Sequence, residues 1–305
     1  MTSSIPSSQD ASVMTAPAQP GTPGHPLLQV EDLNVRFVQQ ERIVHAVRGV
    51  SFTLGREKLA IVGESGSGKS TVGRALLGLL PRSAQVSAET LSFDGQDLRG
   101  ASEAALQGLR GCRISMIMQD PKYSLNPVMR VGEQIVEACR AHRRMPAAQA
   151  RERMLAMLEA VHIREPQRVA RLYPHEISGG MGQRIMIAMM LITEPELVIA
   201  DEPTSALDVS VRQQVLNILE EQVRERGLGL LFISHDLHLV RRFCDRVLVM
   251  YGGRVVESLP AAQLDQAVHP YTQGLLGALP SLRHPRAVLP VLQRDPSWLH
   301  GPVSA

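Results

Sequence analysis

Lysine is almost absent from this chain: Lys58, Lys69 and Lys122 are the only three among 305 residues, and arginine carries the rest of the basic charge. Aromatic residues are scarce too, at 3%, which leaves few platforms on which nucleic-acid bases could stack. The net charge is +2, with arginines spread along the chain rather than clustered, so electrostatics gives no case for nucleic acid as a partner. Cysteine is confined to Cys112, Cys139 and Cys244. An odd number at wide spacing suggests neither a disulfide framework nor a metal cluster, and it fits a reducing compartment. Apolar runs long enough to span a bilayer are missing, residues 185–192 being typical of what is present, and no basic-then-apolar export signal opens the chain. These absences describe a protein that is cytosolic unless a partner holds it at a membrane.

What is present points to one large globular domain with appendages, because 305 residues at 44% hydrophobic content can bury a full core. One of the rare lysines stands in Gly63-Glu64-Ser65-Gly66-Ser67-Gly68-Lys69-Ser70, between the apolar run 59–62 and a helix-like stretch through Leu80. With so few lysines, the pattern G-x-x-x-x-G-K-[ST] arises on the order of once in several hundred shuffles of this composition. Strand, glycine loop and helix in that order make a phosphate cradle, in which loop N–H groups curl around phosphate oxygens and the helix start faces them. Lys69 would reach the β- and γ-phosphates and Ser70 would give its hydroxyl to Mg²⁺, while Thr71 packs behind the loop or caps the helix. The competing reading is a glycine-rich turn that merely caps a helix.

Along the chain, residues 1–26 are rich in Ser, Pro, Ala, Gln and Gly and have almost no large apolar side chains, which predicts a disordered tail. Short β-type runs follow at 28–37, 50–54 and 59–62, predicting an antiparallel lobe that feeds a central sheet. Phe37 is either a core residue of the first run or a platform for an adenine ring. Strands are expected at 91–93 and 114–118, the second ending at Gln119-Asp120-Pro121. At the carboxyl end of a strand, the Gln119 amide oxygen could touch Mg²⁺ or the attacking water; a surface loop is the alternative. Residues 131–161 read as helices with arginine-rich polar faces and Met154, Leu155, Leu158 and Val161 on the other side, an insertion between sheet strands.

Three further segments carry chemistry. In Ile177-Ser178-Gly179-Gly180-Met181, Ser178 is a natural N-cap and Gly179 and Gly180 leave backbone N–H groups uncovered, giving either a second anion-ready helix start or simply a capped helix. Residues 196–202 form an apolar strand ending in Asp201 and Glu202. A strand buried on both faces would deliver these acids beside the phosphate loop, Asp201 to hold Mg²⁺ and Glu202 to orient or deprotonate water; capping of the next turn is the alternative. After Thr204-Ser205-Ala206-Leu207-Asp208 a helix to about Arg226 is predicted, capped by Asp208. A buried strand at 228–233 then ends in Ser234-His235-Asp236, where His235 is either a surface residue or a hydrogen-bond donor to the γ-phosphate. Residues 247–257 read as a terminal hairpin around Gly252-Gly253.

In order and spacing these segments resemble the ATP-binding subunits of ABC transporters over roughly residues 27–279. The resemblance implies an α/β fold: a RecA-like P-loop ATPase core with an antiparallel β lobe and an inserted helical subdomain. It makes the Gly63 to Ser70 loop Walker A, Gln119 the Q-loop, residues 177–181 the signature, residues 197–201 Walker B, Glu202 the catalytic glutamate, residues 205–208 the D-loop and His235 the switch histidine. The expected division is a tail at 1–26, an ATPase domain at 27–258 with the helical subdomain at about 128–193, and a short extension at 259–305. Gln119 to Pro127, Pro174-His175-Glu176 and His269-Pro270-Tyr271-Thr272 resemble the oligopeptide, dipeptide and nickel importer branch.

The resemblance further implies ATP and Mg²⁺ as cofactors, a second ATPase subunit, identical or paralogous, and two transmembrane permeases. A substrate-binding protein acts indirectly, and the location is the cytoplasmic face of a bacterial inner membrane. One Walker A and one signature per chain imply a site shared by two chains. Two features depart from the branch. Gly182 stands where Arg or Gln is usual, and a glycine inside a helix costs about 1 kcal/mol relative to alanine, so a looser helix start is expected. The last cysteine is Cys244, so no C-terminal iron–sulfur cluster is expected. Rival functions are a soluble ABC ATPase of translation or DNA repair, set against by the single cassette without a long coiled coil, and a non-hydrolysing regulatory module, set against by Glu202 and His235.

Overall fold

A computed structural model describes residues 26–39, 42–120, 124–205, 207–279, 292 and 294–299. The predicted tail, apart from Pro26, lies outside the described residues, as do Pro121, Lys122, Ala206 and most of the chain beyond 279. In chain order, strands β1 (Leu28–Gln39) and β2 (Arg42–Leu54) lead into β3 (Lys58–Val62) and helix α1 (Lys69–Leu76). Short strands β4 (Ala84–Ser87), β5 (Thr90–Phe93) and β6 (Gln96–Asp97) precede α2 (Glu103–Leu109) and β7 (Ile114–Ile117). Four helices follow: α3 (Val131–Ala141), α4 (Ala147–Ala160), α5 (Pro166–Val169) and α6 (Gly179–Leu191). Then come β8 (Leu197–Asp201), α7 (Val209–Arg226), β9 (Gly229–Ile233), α8 (Leu237–Phe243), the hairpin β10 (Arg246–Tyr251) and β11 (Arg254–Pro260), and α9 (Pro270–Gly277).

The strands form two sheets. One has five strands in the order β2-β1-β5-β6, with β4 pairing β1, and all its pairings are antiparallel. The other has six in the order β11-β10-β3-β9-β8-β7, parallel except for the β10–β11 edge. Strands β7, β8 and β9 are buried at every position, as expected of parallel strands covered on both faces. The two-residue period of a strand then divides the core in two. Leu59, Ile61, Ile199, Leu231 and Ile233 face the antiparallel lobe and α1, whereas Ala60, Val62, Val198, Ala200, Leu230 and Phe232 face the helices. Ile135, Cys139, Met154, Leu158 and Ile185 join that second face to the helical segment.

Three local expectations differ in extent. The lobe strands run further than apolar runs alone indicate, because β1 and β2 pair to their ends through residues with polar or exposed side chains, such as Arg36↔His45. Asp32, at φ 49, sits where the register slips between Val30 and Leu33, so the inward alternation resumes one residue late. The helix after the phosphate loop ends at Leu76 rather than near Leu80, since Gly78 at φ 60 turns the chain into the left-handed region. The helix start at Gly182 is closed, its N–H donating to Ser178 O at 2.9 Å.

Candidate nucleotide site

Neighbouring strands β3, β9, β8 and β7 end on the same edge of the six-stranded sheet, and each hands a chemically active residue to the loop that follows it. The loop after β3 wraps closely: Gly63, Gly66 and Gly68 have φ of 149, 80 and 100. A Cβ at Gly63 would lie 2.2 Å from Met250 O, and one at Gly68 would lie 2.4 Å from Ala46 O. Only glycine fits both positions. Lys69 is buried and its Nζ donates to Gly63 O at 2.9 Å and Glu64 O at 2.8 Å. Burial pulls its ammonium below the usual lysine range, against the raising influence of Glu202, Asp201 and Glu64.

The acids of β8 meet that loop. Ser70 Oγ donates to Asp201 Oδ1 at 2.7 Å, and Arg74 Nη2 lies 3.8 Å from Asp201 Oδ2. Burial pushes the Asp201 carboxyl above its ordinary value, opposed by the Ser70 hydrogen bond and the Arg74 charge. Glu202 follows at φ 48, a left-handed conformation that costs a non-glycine residue of order 1–3 kcal/mol. Its N–H is held by Ile233 O at 2.9 Å. Gln119 Nε2 donates to Glu202 Oε2 at 3.3 Å, and His235 Nδ1 lies 3.2 Å from Glu202 Oε1. Glu202 therefore sits between the residues after β7 and β9. The His235 side chain is 61% exposed, so this edge of the site is open.

Ser178, Gly179 and Gly180 open α6 elsewhere. Ser178 Oγ accepts from Met181 N at 3.3 Å. Among the described residues no hydrogen bond joins this tip to the loop at Gly63 to Thr71. Thr71 lies in the first turn of α1. Phe37 lies on β1, half-buried, and packs at the rim of the lobe core. Two residues without a role in the sequence reading are placed here. The buried Gln183 of α6 donates to Pro203 O at 2.7 Å, tying that helix to the bend at Glu202. Tyr271 OH accepts from Glu64 N at 3.0 Å. A buried glutamine on the apolar face of a helix is the sequence signal for the first; the second has none beyond its place in His269-Pro270-Tyr271-Thr272.

These residues fit a Mg²⁺-bound nucleoside triphosphate. The Ser67 hydroxyl is buried without a partner, the glycine cradle has no room for side chains, and a buried lysine faces a buried carboxylate and a hydroxyl of the kind a hard cation takes.

Known proteins with this arrangement are ATP-binding cassettes. Residues 47–205 match the family model described as ABC transporter. The chain is 48% identical over 262 residues to the oligopeptide transport ATP-binding protein OppD of Salmonella typhimurium, covering 85% of this chain and 78% of that one. It is 44% identical over 279 residues to the dipeptide transport ATP-binding protein DppD of Bacillus subtilis, covering 90% and 83%. Among solved structures, the dimeric post-hydrolysis cassette MJ0796 bound to ADP and Pi superposes with a TM-score of 0.69 at 25% identity, over 77% of this chain and 98% of that one. The family match over the loop and both acids, and relatives of this identity along most of their length, place the chain in the ABC transporter family as an ATP-binding, ATP-hydrolysing cassette protein.

Proposed function

We propose that the protein powers uptake of di- or oligopeptides through an ABC importer, closing on a second cassette subunit when ATP binds and opening after hydrolysis. The observation that carries the chemical part is the convergence on Glu202: Gln119 and His235 reach its two carboxylate oxygens from the strands on either side. Supporting the cargo, the relatives above are by name oligopeptide and dipeptide transport proteins.

In this reading Gly63, Glu64, Ser65, Gly66, Ser67, Gly68, Lys69, Ser70 and Thr71 form the triphosphate cradle, and Phe37 sits where it could meet the base. Ser70, Asp201 and Gln119 would hold Mg²⁺, which when bound offsets phosphate charge. Glu202 takes the proton of the attacking water, while Gln119 and His235 hold its carboxylate in place. His235 can then turn its exposed ring toward the transferred phosphoryl group. Ser178, Gly179 and Gly180 of one subunit complete the site of the other with N–H groups at a helix start. Residues 27–258 act as the ATPase domain, with the helices at about 128–193 facing two permease subunits at the inner face of the cell membrane. No helix among the described residues is long and apolar enough to cross a membrane, so attachment would be peripheral.

The test is Glu202→Gln. Removing a positioned general base should lower ATP turnover by about 10²–10⁴-fold, with ATP affinity retained and a closed dimer accumulating on size exclusion in ATP and Mg²⁺. Wild-type turnover in this variant would remove Glu202 from its role. Reconstitution with permease subunits and peptide-dependent stimulation of ATP turnover tests the cargo.

A further inference from the structure

The Gly63–Glu64 peptide group is held at both ends. Its carbonyl, Gly63 O, accepts from Lys69 Nζ at 2.9 Å, and its N–H donates to Tyr271 OH at 3.0 Å. Because a peptide group is planar, these partners together fix its rotation and, through it, one of the carbonyls that seat the lysine. Tyr271 is fully buried on α9, and burial raises its hydroxyl to about 12, so it stays a neutral phenol. Its ring lies 4.6 Å from that of Tyr251 at the end of β10 and 5.9 Å from that of Trp298.

The segment before it is built to hold that position. Buried Glu257 accepts from Val268 N at 2.6 Å and His269 N at 3.2 Å, and His269 Nδ1 accepts from Tyr271 N at 3.1 Å. Arg294 adds a second tie, its Nη2 lying 3.2 Å from Glu64 Oε2. Gly253 N donates to Ser67 O at 3.0 Å on the same side of the loop. A chain of hydrogen bonds thus runs from β11 through α9 into the phosphate cradle.

We propose that Tyr271 is a positioning residue for the nucleotide loop, so that the C-terminal segment sets the affinity of Walker A for nucleotide. This rests on the reading of that loop as the triphosphate site and deepens it. Loss of the hydroxyl leaves the Glu64 N–H without its acceptor and frees the peptide to rotate, so Lys69 loses a fixed seat.

The experiment uses the full chain carrying Tyr271→Phe, which keeps the ring against Tyr251. Two readouts are taken: titration calorimetry with a non-hydrolysable ATP analogue, and amide hydrogen exchange of the loop without nucleotide. The expected result is a rise in Kd of about tenfold with faster exchange at the Glu64 amide. Thr272→Val, one residue along the same buried helix, should change neither. Faster exchange with unchanged Kd makes the bond a structural tie only and overturns the proposal, as does wild-type behaviour in both readouts. Should the Phe variant not fold, His269→Leu removes the acceptor of Tyr271 N from the segment side; a rise in Kd with faster exchange at the Glu64 amide supports the proposal, and wild-type values in both overturn it. A wild-type chain that fails to bind the analogue defeats the reading of the site itself, whereas equal binding by wild type and Tyr271→Phe defeats only this inference.

Discussion

Two glycine-rich turns open helices in this chain, one before α1 and one before α6, and their glycines answer different needs. At the first, Gly63 and Gly68 have positive φ and stand against backbone carbonyls of β10 and β2. The fold of the single chain requires them. At the second, Gly179 has nothing within 4 Å of the space a Cβ would fill, and neither Gly179 nor Gly180 has a positive φ. The nearest atoms to a Cβ at Gly180 belong to the Val211 side chain, at 3.0 Å. Among the described residues nothing requires glycine at 179, which is compatible with the proposed approach of a second molecule. The first turn is thus specified by its own protein, and the second, in the function proposed above, by what would dock on it.

The strongest way to break that contrast is Gly68→Ala. A Cβ placed 2.4 Å from a backbone carbonyl, at φ 100, cannot be relieved by a rotamer change. The expected loss is more than about 3 kcal/mol of stability, together with loss of ATP binding, read by thermal unfolding and nucleotide titration. Next in size is Gln183→Leu, where α6 meets the bend at Glu202. It leaves Pro203 O without the donor it has at 2.7 Å, a cost of about 1–3 kcal/mol. Since the same contact braces the strained bend at Glu202, kcat should fall more than KM rises. An unchanged kcat would show that the bend is held without Gln183.

Much of this contrast was legible in the sequence. The first turn carries its chemistry in residue types at fixed spacing, and the apolar strands before Ser70, Gln119, Asp201 and His235 announce a parallel sheet whose one edge gathers them. The cap residues Ser178 and Asp208 also place the starts of α6 and α7 where the structure has them. What the sequence does not carry is contact between distant segments. Tyr271 lies 207 residues from its partner Glu64, and nothing local distinguishes it from an ordinary core tyrosine. The short strand at Ala84–Ser87 was also illegible: it is mostly exposed, so no hydrophobic alternation marks it, and it exists because β1 offers an edge at residues 34–37.

A smaller effect separates the acids from the glycines. Burial raises Asp201 above its ordinary 3.8, so its contribution to stability is fully present below that value and is lost as pH rises through the raised one. Where it is ionised the carboxylate is therefore a cost in the nucleotide-free chain. Asp201→Asn keeps an acceptor for Ser70 Oγ and should raise nucleotide-free stability by about 1 kcal/mol. It should also flatten the fall in stability above about pH 4 and abolish the additional stabilisation by Mg²⁺ with ATP. Thermal unfolding from pH 4 to 8 with and without both ligands reads all three.

Smallest in stability, and decisive for the comparison, is Gly179→Ala. The position is the first residue of α6, its φ is not positive and the Cβ enters open space. Replacing glycine where alanine fits stabilises by about 0.4–1 kcal/mol through the unfolded chain, so the melting temperature should hold or rise slightly. ATP binding by the isolated subunit should stay within about twofold, because the cradle is untouched. Turnover at concentrations where the wild type pairs should nonetheless fall by about tenfold or more, as a methyl group stands where the facing nucleotide's phosphate would approach the helix start. Stability and nucleotide affinity kept while turnover falls, at a residue with no hydrogen bond to its own chain's cradle among the described residues, is what a site completed by a second chain produces. If turnover by Gly179→Ala matches the wild type at every protein concentration, the tip of α6 is a capped helix and nothing more.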